Sequence, residues 1–392
     1  MDSGVAIAGL GITEMGKVYD RSASDFAADA IRLAADDAGL TLDQIDGLLI
    51  NPGLSGGLDV GIAARLGLYN LPLLSVVNAY GSTASVMLMM AALAVAAGQA
   101  TAVACVFADA TLHPNSRTGA AYGGGGGGPG RQLSGIRALG AAAGLGGAPS
   151  TYALAARRHM HAYGTNEDHF AAVAVSQRDW AADNPHAQMR QPITVEDHHN
   201  SRWIAEPFRL LDCCLVSNGG VAVVVTSAER ARDLRQPPVY LWGWGQGHPG
   251  YVMERGCEWG LSTGAVQSGK AAFARAGIGP GDIDVAQIYD CFTFTVIVTL
   301  EDYGFCAKGE GGPFAASGAL GRGGSLPTNT GGGELSAYYM WGMTPVSEGV
   351  LQARGQGGGR QVDKHDLVLV TGNGGTLDHH GTLIFGAHPK GA

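Results

Sequence analysis

The sequence predicts an α/β protein built from two related halves, and three observations carry that expectation. First, strand-like and helix-like segments alternate. A strand from Val5 to Leu10 is followed by a helix (Ser24 to Ala38), strands at Gly47 to Ile50 and Leu73 to Val77, an Ala/Met-rich helix (Ser85 to Ala97) and a strand from Ala102 to Phe107. Apolar strands alternating with helices imply helices covering a largely parallel sheet. Second, the chain matches itself at an offset of 238 residues: Ala38-Gly39-Leu40 lies over Ala276-Gly277-Ile278, and Ile45-Asp46 over Ile283-Asp284. In each copy a helix ends at an alanine, a glycine supplies the left-handed cap, and Ile-Asp leads into an apolar strand. Convergent helix-Gly-strand chemistry is the competing explanation, and duplication is preferred. Third, glycine accounts for 63 of 392 residues, well above the usual ~7%, and it clusters in runs such as Gly123 to Gly128 and Gly331 to Gly333. Such runs read as loops between packed elements.

The halves are placed at residues 1–228 and 229–392. The first closes on a strand from Val221 to Thr226, and the second begins near Pro237. A Gly- and His-rich insertion of about 111–207, with helices from Thr151 to Tyr163 and Asp168 to Ala182, follows the strand at Ala102. Insertions at that point of α/β proteins build pockets over the carboxyl ends of the strands.

Composition narrows the function classes. With 46% hydrophobic and 15% charged residues the chain can bury a large core. A formal net charge of -9 without any block of Lys or Arg argues against a general nucleic-acid surface, though a local anion pocket is compatible with it. The six cysteines form no CxxC pair and no Cys/His ligand spacing, so neither a zinc ribbon nor a disulfide framework is expected, and a reducing cytoplasm fits. The N-terminus lacks a basic segment ahead of its apolar run, and the longest apolar stretch, Val86 to Ala97, is too short to span a bilayer. A soluble protein is expected.

Four stretches carry the chemistry. They are Asn78-Ala79-Tyr80-Gly81-Ser82-Thr83-Ala84-Ser85 running into an apolar helix, and Tyr289-Asp290-Cys291-Phe292 at a strand end. The third is Asn329-Thr330-Gly331-Gly332-Gly333-Glu334-Leu335-Ser336-Ala337-Tyr338-Tyr339, and the fourth is Val370-Thr371-Gly372-Asn373-Gly374-Gly375. Together they resemble the thiolase superfamily: in order, the nucleophile segment, the Asn-Glu-Ala-Phe-like strand end, the Gly-Gly…Gly-His-Pro-like loop and the Cys-x-Gly motif. The resemblance covers Val5 to Phe385. It implies a duplicated thiolase fold, αβαβα in layers with an inserted loop domain. Both cysteine positions lack cysteine, and the alignment sets Tyr339 at the histidine and Tyr289 at the polar residue opening its motif. Acyl transfer needs a soft nucleophile whose pKa a helix dipole can lower, and an unassisted serine cannot replace it. Ser82 is therefore read as a helix N-cap or an oxyanion-site donor.

One branch fits best. Tyr289-Asp290-Cys291-Phe292 and the stretch from Leu300 to Gly312 look like the steroid-degradation thiolase-like aldolases, often labelled nonspecific lipid-transfer proteins. That resemblance implies retro-aldol cleavage of a steroid side-chain β-hydroxyacyl-CoA, such as 17-hydroxy-3-oxo-pregnene-20-carboxyl-CoA, to a 17-ketosteroid and propionyl-CoA. The reaction needs a base for the hydroxyl proton, stabilisation of the thioester enolate, and an acid for the enolate carbon. Tyr339, with a pKa lowered by nearby donors, is assigned as base and Tyr289 as acid, the two roles being exchangeable. Backbone N–H groups near Ser82 and from Gly372 to Gly374 are expected to hold the enolate oxygen. Asp290 either orients a tyrosine hydroxyl or caps the following helix. Tyr338 and Tyr303 are read as packing residues, and Asp212-Cys213-Cys214 as structural.

CoA enters only as part of the substrate, with no covalent cofactor and no metal in this chain. Asp197-His198-His199 and Asp378-His379-His380 are read as solvated or core residues, because adjacent strand histidines face opposite ways. The Gly123 to Gly128 run lacks a phosphate-loop ending and is read as a pocket lid. Arg117, Arg131, Arg157 and Arg158 are candidates for the CoA phosphates on charge alone. The branch further implies a homodimer and a small partner protein carrying a zinc ribbon and an OB-fold. Two other readings stand beside this one: an aldolase for a longer sterol or bile-acid side chain, and a catalytically silent acyl-CoA or lipid-binding protein.

Overall fold

The computed structural model describes residues 4–54, 56–115, 139–140, 142–145, 147–251 and 255–391, apart from the side chain of Cys257. Its strands are β1 (Val5–Ile12), β2 (Gly47–Asn51), β3 (Leu73–Val76), β4 (Ala102–Asp109), a short ribbon of β5 (Trp203–Ala205) and β6 (Phe208–Arg209), then β7 (Gly219–Ser227), β8 (Val239–Gly247), β9 (Val285–Gln287), β10 (Leu367–Gly374) and β11 (His379–Gly386). The helices that position the site are α1 (Ala23–Ala38), α2 (Thr83–Ala96), α3 (Ala148–Tyr163), α4 (Glu167–Ala181), α5 (Val195–Asn200), α6 (Ala265–Ala276), α7 (Thr293–Tyr303) and α8 (Met343–Ala353).

The main sheet runs β3-β2-β4-β7-β1-β8-β11-β10-β9. About the β1–β8 junction, β1, β7, β4 and β2 mirror β8, β11, β10 and β9, with β3 as an extra edge strand, and two residue pairs, Ala6 with Tyr240 and Ile7 with Val239, join the arms. Helices α2 and α8 lie between the arms and touch strands of both, α1 covers the outside of β1, β4 and β7, and α6 covers the outside of β8 and β11. The layers are thus helix, sheet, helix, sheet, helix. Helix α2 is apolar around its circumference because it is enclosed on both sides, with Met87, Leu88, Ala91 and Ala92 fully buried.

The expected largely parallel sheet is corrected. Pairing is parallel at β2–β3, β2–β4 and β9–β10, whereas β4–β7, β7–β1, β1–β8, β8–β11 and β11–β10 are antiparallel. The cause is topological: the closing strand of each arm, β7 or β11, runs counter to the arm's other strands, and a strand's direction leaves no mark on its apolar pattern. His198 and His199 are also corrected, since they lie on helix α5 rather than on a strand.

Paired features recur in the two arms. Gly39 and Gly277 end α1 and α6 in the left-handed region, at φ 76° and 72°. The outer helices rest directly on strand backbone. A Cβ on Gly9 would stand 2.0 Å from the Ala34 carbonyl oxygen, one on Gly11 2.1 Å from that of Ala30, and one on Gly245 2.1 Å from that of Ser268. A turn leading into a helix also occurs twice in matching form. Tyr80 and Trp341 both hold positive φ, 53° and 48°. Thr83 Oγ1 accepts from the Ala79 N–H at 2.7 Å, and Thr344 Oγ1 accepts from the Met340 N–H at 2.9 Å. The two units abut, because a Cβ on Gly342 would be 2.6 Å from the Gly81 carbonyl oxygen.

Candidate active site

Tyr289 stands just beyond β9, and its strand end is fixed by the polar residues of the glycine-rich loop. Asn329 accepts the Ile288 N–H through Oδ1 at 2.7 Å and donates Nδ2 to the Ile288 carbonyl at 2.9 Å. The Tyr289 N–H donates to Thr371 Oγ1 at 3.0 Å, which ties the tyrosine to β10. Tyr339 is placed from the other side. Its N–H donates to Ser217 Oγ at 2.9 Å, and that serine also receives Gln188 Nε2 at 2.6 Å. The result is a direct hydroxyl pair: the Tyr289 and Tyr339 oxygens are 2.9 Å apart, although the residues are 50 apart in sequence. Tyr289 is 3% exposed, while Tyr339 is half-buried.

The pair sits against the start of α2. A Cβ on Gly81 would stand 2.4 Å from the Tyr289 hydroxyl oxygen and 2.1 Å from the Asn373 carbonyl oxygen, so a side chain cannot occupy position 81 while the tyrosine is seated. The corner that gives thiolases their nucleophile here makes room for a phenol. Gly372 and Gly374 play a related part, packing against the Gly81 carbonyl and the Tyr80 Cβ at 2.8 Å and 2.5 Å from where their own Cβ atoms would be.

Ser82 occupies the N-cap position of α2 without capping it. Its hydroxyl donates to the Ala79 carbonyl at 2.7 Å and its N–H to the same oxygen at 3.2 Å, so the capping expectation is corrected. Asp290 neither caps α7, whose N-cap residue is Phe292, nor contacts a tyrosine hydroxyl. Its carboxylate accepts the Glu334 N–H at 2.9 Å and the Leu335 N–H at 3.1 Å, pinning the glycine-rich loop. Gly333 is required there, because a Cβ would lie 2.2 Å from Asp290 Oδ2 and its φ is 60°.

Electrostatically the site is acid-rich and buried. Burial pushes the Tyr289 phenol well above its ordinary value, and Glu334, Tyr339, Cys291 and Tyr152 add to the rise. Tyr289 is therefore a neutral phenol, and no lowering of its pKa is present. Burial raises Asp290 to about 7 against the pull of the Glu334 and Leu335 N–H groups. Burial likewise raises the thiols of Cys105, Cys213, Cys214 and Cys291, and that of Cys306 to about 12, so none of these is primed as a nucleophile.

The remaining sequence candidates fall outside this constellation. Tyr338 donates to or accepts from Ser347 Oγ at 2.7 Å within the core, and Tyr303 pairs with Thr382 at 2.6 Å. Asp212 is wholly buried and accepts from His198 and Thr293. His380 is fully enclosed beside Ser268, and His379 is half-buried. Among the described residues no group of three or more His, Cys, Asp or Glu side chains could hold a metal ion. Arg157 and Arg158 are exposed on α3, whereas Arg117, Arg131 and the Gly123 to Gly128 run lie outside the described residues. Two residues of the site were not singled out from sequence. Glu334 is 0% exposed, and Tyr152 of α3 receives Asn373 Nδ2 at 3.3 Å. The one available signal was a charged residue inside an otherwise uncharged, glycine-rich loop.

Layered halves and a cysteine-free corner at the start of α2 define a thiolase-superfamily protein. A family model described as thiolase C-terminal domain-like matches residues 245–387. The steroid side-chain-cleaving aldolase of Thermomonospora curvata is 40% identical over 380 residues, covering 94% of this chain and 95% of that one. The 17-hydroxy-3-oxo-4-pregnene-20-carboxyl-CoA lyase of Mycobacterium tuberculosis is 38% identical over 387 residues, covering 94% and 96%. The solved structure of an Ltp2-ChsH2(DUF35) aldolase is 38% identical and superposes with a TM-score of 0.85, covering 98% of this chain and 97% of that one. The chain belongs to the steroid side-chain-cleaving aldolase family of the thiolase superfamily.

Proposed function

We propose that this chain cleaves a steroid side-chain β-hydroxyacyl-CoA, such as 17-hydroxy-3-oxo-pregnene-20-carboxyl-CoA, by a retro-aldol reaction that yields a 17-ketosteroid and propionyl-CoA. The observation that carries it is the 2.9 Å Tyr289–Tyr339 hydroxyl pair in a site without a thiolase nucleophile. The substrate hydroxyl loses its proton towards Tyr339, the more accessible phenol. The C–C bond breaks, the ketone forms, and the electron pair enters the thioester as an enolate. Tyr289, kept neutral by burial, then delivers a proton to the enolate carbon. Because the phenols share a hydrogen bond, the proton taken by one can replace the proton given by the other. The thioester is itself the electron sink, so the reaction calls for no covalently bound cofactor or metal in this chain. The enolate oxygen is assigned to backbone N–H groups near Ser82 and from Gly372 to Gly374.

Two assembly features belong to the same reading. Strand β3 ends the sheet with Leu74 and Val76 37% and 43% exposed, which suits a homodimer joined edge to edge across a two-fold axis. Similarity to the Ltp2-ChsH2(DUF35) aldolase supports work with a small second protein, for which we propose the zinc-ribbon and OB-fold type, the two kinds of chain forming a heterotetramer. The test is to incubate the chain, with and without such a partner, with 17-hydroxy-3-oxo-pregnene-20-carboxyl-CoA and to measure free ketone and propionyl-CoA. Stoichiometric appearance of both is expected. Ketone absent in both mixtures would overturn the proposal.

A further inference from the structure

Glu334 is the least satisfied acidic side chain beside the tyrosine pair. It is 0% exposed, and neither carboxyl oxygen has a hydrogen-bond partner among the described residues. Its backbone is anchored at both ends: the N–H donates to Asp290 at 2.9 Å and the carbonyl accepts the Leu215 N–H at 2.9 Å. These bonds hold the backbone that carries the enclosed side chain. Of the charged groups acting on Tyr289, Glu334 acts most strongly, and it also acts on Cys291 and Cys214. A buried carboxyl with no partner is costly, and a catalytic role is one reason a protein keeps it.

We infer that Glu334 is the proton store of the tyrosine pair, taking the substrate's hydroxyl proton through Tyr339 and Tyr289 and returning it through Tyr289 to the enolate carbon. This rests on the retro-aldol reading. In the working state Glu334 is a carboxylate and both phenols are neutral. As the C–C bond breaks, the substrate O–H proton passes to the Tyr339 oxygen, the Tyr339 proton to the Tyr289 oxygen, and the Tyr289 proton, by way of one bridging water, to Glu334. The carbonyl forms and the bonding pair becomes the thioester enolate. The reverse transfer then runs from Glu334 to Tyr289, and Tyr289 protonates the enolate carbon, which restores every group. No phenolate has to persist, which matches a site where acidic neighbours and burial oppose one.

The groups acting on or acted on by Glu334 are Tyr289, Asp290 and Cys291 from the loop after β9 and Cys214 from the segment before β7. Arg178 of α4 reaches the loop of Glu334 through Ser336 Oγ at 2.9 Å. Burial, and next the Asp290 charge, raise the proton affinity of Glu334 well above that of an ordinary carboxyl, so at neutral pH it holds its proton and the working form grows as pH rises.

The test measures propionyl-CoA release by the full chain with its partner protein, from mildly acidic to alkaline pH, for the wild type, E334Q, D290N and Y289F. The wild-type rate is expected to climb through neutral pH. E334Q is expected to fall about a hundredfold or more and to lose that climb, while substrate binding stays near the wild-type value. D290N is expected to move the climb to lower pH, because a negative neighbour has been removed. Infrared spectra at neutral pH are expected to show one protonated-carboxyl band in the wild type that E334Q lacks, a readout that does not depend on turnover. A wild-type rate and pH profile in E334Q, or an unchanged band, overturns the inference alone. Full activity in Y289F overturns the reading on which it rests.

Discussion

Gly81 and the hydroxyl of Tyr289 are mutually exclusive with any larger residue at position 81: a Cβ there would lie 2.4 Å from the phenol oxygen. Gly81→Ala should therefore unseat the tyrosine. Overpacking of this kind costs about 1–3 kcal/mol. The expected outcome is a melting temperature lowered by a few degrees together with a loss of cleavage much larger than the stability change explains, checked by calorimetry and ketone release.

Tyr289→Phe and Tyr339→Phe each remove one hydroxyl from the pair and leave the ring in place. Each should lower kcat by about a hundredfold to ten-thousandfold with little change in ligand affinity. Because the two hydroxyls act as a unit, the double variant should be little slower than the worse single one, a non-additivity read directly from steady-state kinetics. Activity retained in either single variant would contradict the role given to that tyrosine.

His380 supplies a pH dependence of stability. It is fully buried, and burial lowers its pKa from 6.5 to about 3. The sign follows from proton counting. Between those values the unfolded chain binds a proton at this site and the folded chain does not, so stability is complete above pH 6.5 and is lost as pH falls. Between about pH 6.5 and 5 this one group should cost on the order of 2 kcal/mol. Denaturant unfolding of the wild type and of His380→Gln at both pH values should show that loss in the wild type alone.

On the exposed edge, Val76→Lys places a charge on β3 that would have to be buried by edge-to-edge pairing. Light scattering of the purified chain should show a homodimer turned into a monomer. A dimer that survives the substitution would exclude this edge as the interface.

Much of this was open to reading from residue order. The six elements expected up to Phe107 are present because strand and helix periods are local properties, although the short helices Leu42–Gln44 and Ile62–Arg65 between them were not expected, and Gly39 and Gly277 mark two helix ends because few other residues tolerate φ near 75°. Tyr289 and Tyr339 were found through motifs. Strand direction was not readable, since β7 and β11 carry the same apolar runs whether they lie parallel or antiparallel. Nor were the roles of the acids. Asp290 and Glu334 acquire theirs from a turn that folds the 333–337 segment back onto the end of β9, and that meeting depends on Asn329, some forty residues away from Ile288.

The abutting turns at Gly81 and Gly342 have a further consequence. Both tyrosines come from the second arm of the sheet, yet the space that receives the Tyr289 hydroxyl is hollowed out of the first. Neither arm owns the chemistry. If the chain arose by doubling an ancestral unit, the present reaction became available only once the copies diverged, one shedding the bulk at its corner and the other growing a phenol to fill it.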